Sequence, residues 1–178
     1  KQLFALLLLV SLFACKNVEQ YKAGIEELGT KWDGATKMVG EFTSMVDGAK
    51  AAQMASFDSL KIDSTFMAKL KGADLDKVKQ AIAAYQSNGG GIVELGNKLG
   101  DFKKEWEAKS AEVTALKDGL AAGKIEGDVA AKIAELSNFV SSSETSINGM
   151  KELFGKTTES SKSALDALKA AVSPYMKK

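Results

Sequence analysis

The chain has 178 residues, with 24 basic against 23 acidic side chains, no histidine, one cysteine and one proline. That length suffices for one domain with a real core. The missing histidine removes the commonest catalytic base and nitrogen metal ligand, the lone thiol excludes an internal disulfide, and balanced, interspersed charge leaves no electrostatic footprint for nucleic acid.

In chain order, the first element is apolar. From Leu3 to Ala14 the only polar residue is Ser11. A span of the bilayer core needs about 20 apolar residues, so this run is too short for one. A charge ahead of it (Lys1), an apolar stretch and a small residue before a break make a secretory signal over residues 1–14. The break, Leu12-Phe13-Ala14-Cys15, resembles the lipobox of bacterial lipoproteins, with Phe13 departing from the small or aliphatic residue usual there. The resemblance implies that Cys15 is diacylated on sulfur and becomes the new N-terminus. Each buried acyl CH₂ contributes about 0.8 kcal/mol, so two or three chains hold a protein firmly on a membrane. Lys16 follows the cysteine where an aspartate would signal inner-membrane retention, which directs the expectation to the outer membrane. Residues 15–178 carry 23 basic and 23 acidic side chains.

Three long helices follow. Val18, Tyr21, Ile25, Leu28, Trp32, Ala35, Val39, Phe42, Val46 and Ala49 step by alternating threes and fours, a heptad seam that strand alternation cannot produce. The first helix is expected over about 17–57. In the second, over 74–122, Val78, Tyr85, Ile92, Leu99, Trp106, Val113 and Leu120 recur every seventh residue, with Asp74 as N-cap and Gly123 as stop. The third, over 127–173, carries Val129, Ile133, Leu136, Val140, Ile147, Leu168 and Ala171, with Asp128 as N-cap and Ser173-Pro174 as its end. The tight turn at 123–128 makes helices two and three antiparallel neighbours. The longer link at 58–73 carries Leu60, Ile62, Phe66, Met67 and Leu70 and is expected to form a short helical lid. The predicted fold is all-α, an antiparallel three-helix coiled-coil bundle with a lid between helices 1 and 2. Helices of about 40–50 residues give a rod on the order of 60–70 Å at 1.5 Å per residue.

Several features could carry function. Gly89, Gly90 and Gly91 sit inside the second helix, where each glycine costs about 1 kcal/mol relative to alanine. They read either as a hinge or as close helix packing, and the seam keeps its phase across them. Phe42, Tyr85 and Ser161 fall at the same level, so an apolar ligand between the helices is one reading of that region. Trp32 and Trp106 hold seam positions and read as core, with the small Ser143 opposite Trp106. No enzyme constellation appears: there is no phosphate-binding loop, no nucleophile elbow and no calcium loop, and the carboxylates are scattered. The expectation is a protein that is not an enzyme and needs no cofactor or metal. The C-terminal Lys178 is similar in placement to the terminal lysine of the major murein lipoprotein of enteric bacteria. That similarity implies a covalent tether to peptidoglycan.

Two stretches, YKAGIEELGTKWD at Tyr21–Asp33 and LKDGLAAGKIEGDVAAKIAEL at Leu116–Leu136, resemble helical lipoproteins of Bacteroidota, some labelled "viral A-type inclusion protein". The resemblance covers most of residues 15–178 and implies an anchored helical bundle of unassigned role. The expected function is a lipid-anchored cell-envelope protein, structural or interactive: an accessory subunit, spacer or adhesin-like surface rod. Its expected partners are the membrane, through Cys15, and an envelope protein contacted through the 58–73 lid, with no nucleic acid. The alternatives are the apolar ligand between the helices and the wall tether at Lys178.

Overall fold

The computed structural model describes residues 2–176, with side chains over 18–176. It is all-helical, with 91% of residues in helix and no strand among those described. The helices are α1 (Gln2–Ser59), α2 (Ser64–Ala68), α3 (Gly72–Ala121) and α4 (Val129–Met176).

The helix ends follow from local chemistry. α3 stops in a Schellman motif: Gly123 has φ +67°, its N–H donates to the Leu120 carbonyl (3.1 Å), and the Lys124 N–H donates to the Gly119 carbonyl (2.9 Å). Glycine takes that left-handed position without steric cost. Asp128 caps α4 by accepting from the Ala131 N–H at 3.0 Å, and Asp63 caps α2 by accepting from the Phe66 N–H at 2.7 Å.

Helix boundaries differ from the sequence expectation in several places. α1 begins at Gln2, ahead of the expected start at 17, and ends at Ser59, past the expected 57. α3 begins at Gly72, ahead of the expected cap at Asp74. Asp74 lies in the first turn, where a carboxylate suits the helix dipole. α4 runs on through Pro174 to Met176 instead of ending at Ser173. A proline so near a C-terminus removes only one backbone bond, so the helix continues past it.

The chain divides into two compact units, Lys1–Val39 with Asp101–Ile147, and Gly40–Gly100 with Asn148–Lys178. In the first, Ile25, Leu28, Trp32, Trp106, Leu136 and Val140 are among the buried residues. In the second, Phe42, Val46, Val78, Tyr85, Leu95 and Leu168 are buried. Phe42 meets Phe154 edge to face, with centroids 5.8 Å apart. Each fully buried large apolar side chain contributes about 1.5–3 kcal/mol, so these seam positions, not the exposed faces, hold the helices together.

Candidate functional site

The first unit is organised by an aromatic stack. Trp32 lies against Trp106 with centroids 4.1 Å apart, and Phe139 stacks on both at 5.9 and 5.8 Å. The Trp32 Nε1–H donates to the Ser110 hydroxyl (3.0 Å) and the Trp106 Nε1–H to the Thr36 hydroxyl (3.1 Å). Each indole is thus satisfied by the helix that carries the other, and both rings are built into the core. Nearby, α3 and α4 share a four-membered charge network. Lys109 pairs with Glu112 (3.0 Å) and Glu135 (2.6 Å), while Lys132 pairs with Glu112 and with Glu135 (3.4 Å). The Lys132 ammonium, hydrogen-bonded to Glu112, holds that carboxyl below its usual range, and Lys109 does the same for Glu135. Both lysines are correspondingly raised.

The second unit holds most of the remaining candidate residues. In the 58–73 link, Leu60 and Leu70 are buried in one cluster with Val78, Tyr85, Leu168 and Val172, and Ile62, Phe66 and Met67 pack against it half-buried. The link is thereby part of the core, and its leucines are not available to a partner. Large apolar side chains do stand exposed elsewhere in this unit, at Met45, Met54, Val93 and Leu153.

α3 passes unbroken through Gly89–Gly91. A Cβ on Gly89 would collide with the Gln53 side-chain amide, and one on Gly91 would lie 2.8 Å from Thr157 Cγ2, whereas Gly90 faces open space. Two of the three glycines therefore permit close approach of neighbouring side chains. Tyr85 is buried; its hydroxyl donates to the Gln53 carbonyl at 2.7 Å, and its ring stacks on Phe57 at 5.8 Å. Burial pushes the Tyr85 hydroxyl above its ordinary pKa.

Between α1 and α4 of this unit runs a cleft of about 210 Å³ with Tyr85, Ile92, Ser161 and Lys162 among its lining residues. Of the residues expected to form a pocket, Tyr85 and Ser161 meet there. Phe42 is fully buried against Phe154 and does not line the cleft, nor do the three glycines. Sequence reading missed Gln53, whose carbonyl accepts from the Tyr85 hydroxyl and whose side-chain amide fills the space a Cβ on Gly89 would take; it holds the next seam position, four residues after Ala49, but a seam read from apolar residues stops before a glutamine. Leu12, Phe13, Ala14 and Cys15 lie outside the residues whose side chains are described, and Lys178 lies outside the described residues.

Among the described residues no group of acidic or cysteine side chains could hold a metal ion. No helix there is long and apolar enough to cross a membrane. No protein family, curated protein or solved structure matches this chain.

Proposed function

We propose that the chain is a lipid-anchored protein of the bacterial cell envelope, held on the outer membrane by acylated Cys15, with a structural or protein-interaction role and no catalytic one. The observation that carries this reading is the apolar run over Leu3–Ala14, broken only by Ser11 and closing on Cys15, in a chain with no other thiol. The helical body supports a scaffold role, since Trp32, Trp106 and Phe139, and Phe42 with Phe154, are occupied in packing between helices.

The helices α1, α3 and α4 are read as an antiparallel three-helix coiled coil. Pairing supports this within each unit: Trp32 with Ser110 and Thr36 with Trp106, Lys109 with Glu135 and Glu112 with Lys132, Val46 beside Gly96 and Gln53 beside Gly89. In every pair, residue numbers rise along one helix as they fall along the other. The exposed Met45, Met54, Val93, Leu153 and Met176 are apolar positions open to a partner.

The test is crosslinking in intact cells, purification of the lipidated chain, and mass spectrometry of what accompanies it. A stoichiometric envelope protein is the expected result. Recovery of the chain alone would overturn the interaction role, and peptidoglycan fragments on Lys178 would replace it with a wall tether.

A further inference from the structure

We propose that the end of the first unit next to Cys15 rests on the bilayer, with Tyr21 and Ile125 seated among the lipid headgroups as an apolar contact beside the anchor. This contact presupposes the acylated Cys15 of the reading above and adds a second point of attachment to it. α1 is continuous from Gln2 to Ser59. Cys15 therefore lies on the same helix as Val18, only about 4.5 Å before it along the axis at 1.5 Å per residue. Val18 and Tyr21 border a cleft of about 210 Å³ whose other side is the α3–α4 turn, with Ile125 and Val129 among its lining residues. The turn is thus level with the first helical turn after the anchor. Lipid held at Cys15 is the nearest material outside the chain that can meet this cleft.

The side chains at this end decide what kind of contact it is. Lys16, Lys22 and Lys124 are matched there by Glu19, Glu126 and Asp128. Lys22 pairs with Glu19 at 3.7 Å and Lys124 with Glu126 at 3.2 Å. No surplus of cations draws this end to acidic lipid, so the contact depends on its apolar side chains. Ile125 is the one apolar residue in a turn otherwise made of glycine and charged residues. It is half-buried, and a Cβ on Gly119 would lie 3.0 Å from its Cγ1. Ile125 is thereby seated over the last turn of α3 and held at the end of the unit, with part of its surface still open. Tyr21 is half-buried as well. Tyrosine, with an apolar ring and a polar tip, is enriched where hydrocarbon meets water. The link at 58–73 makes the contrast: its Leu60 and Leu70 are buried in the core.

The acylated chain has no free thiol, so Ile125→Cys offers a single site for a bimane fluorophore. The full chain is reconstituted in phosphatidylcholine liposomes that contain a nitroxide on part of the headgroups. The probe at 125 should lose most of its fluorescence to the nitroxide. A probe in Glu107→Cys, at an exposed position about 24 Å back along α3, should keep its fluorescence, and high salt should change neither result. Tyr21→Cys reads the same end and should be quenched too, which keeps the test decisive if Ile125→Cys fails to fold. The intact mass of each sample shows whether diacylglycerol is on Cys15. With that lipid present, unquenched probes at 125 and 21, equal quenching at 107, or quenching lost in high salt would each overturn the bilayer contact and leave the anchor standing. With that lipid absent, the anchor reading fails and the contact falls with it.

Discussion

Gly90 and Gly91 are neighbours in α3, yet they make opposite demands on a side chain. Gly90 faces open space, whereas a Cβ on Gly91 would lie 2.8 Å from Thr157 Cγ2. Alanine relieves the cost of glycine in a helix by about 1 kcal/mol, and only Gly90 can accept it freely. The Thr157 methyl sits close to its own backbone and cannot swing aside. Gly90→Ala should therefore raise stability by about 1 kcal/mol, and Gly91→Ala should lower it, as read from urea midpoints at constant m-value. If both stabilised equally, the close-approach reading of this segment would fail. Tyr85 offers a second residue-scale test. Its hydroxyl donates to a helix carbonyl that is not left bare when the hydroxyl is removed. Tyr85→Phe should cost only about 1 kcal/mol, the net worth of one such hydrogen bond, and a loss above about 3 kcal/mol would contradict the geometry.

At the scale of elements, the α3–α4 charge network makes a prediction about pH. Glu112 and Glu135 titrate lower when folded than when unfolded, because lysines donate to their charged forms. A depressed carboxylate contributes stability that is present above its unfolded pKa and is lost as pH falls through the folded value. Lys109 and Lys132 are raised, so their contribution is present below the usual lysine range and lost as pH climbs through their folded values. The Glu112→Gln/Glu135→Gln variant should show a smaller fall in urea midpoint between neutral and strongly acidic pH than the parent chain. Parallel acid limbs for the two would show that the network contributes nothing to the pH dependence.

The elements were also where the sequence was most informative. The seams named nearly every buried residue because a helix can bury only one stripe, and the period of that stripe is visible in one chain. The Schellman glycine Gly123 and the cap Asp128 were legible for the same reason: each meets a local backbone need that few residue types satisfy. The ends at Gly72 and Met176 were not, because each helix runs past the residue, Asp74 or Pro174, that would ordinarily mark its end. The same limit applied to the candidate site. The level of the cleft could be placed from Tyr85 and Ser161, but its α1 wall could not. Which small residues border a gap depends on how far apart two helices lie, and no seam records that distance. The burial of Leu60 and Leu70 was likewise hidden, since apolar residues in a link look the same whether they cap a core or await a partner.

At the scale of the whole molecule, the question is what holds the chain where it works. No described helix can cross a membrane, and a lipid anchor requires none. Cys15 is the one thiol in the sequence, so a modification that needs sulfur has a single address. One acyl chain alone gives marginal, reversible binding, and stable anchoring takes at least two. The chain expressed with labelled palmitate in a bacterial host should carry the label, and the mass of its N-terminal fragment should show diacylglycerol on Cys15. Cys15→Ser should lose the label completely. Membrane partitioning is the weaker readout, because an uncleaved apolar run at 3–14 would itself associate with lipid and mimic an anchor. Labelling separates the two causes: label retained in Cys15→Ser would eliminate the anchor, whereas label lost with the protein still in the membrane fraction would leave the anchor assignment standing and assign the residual binding to the uncleaved leader.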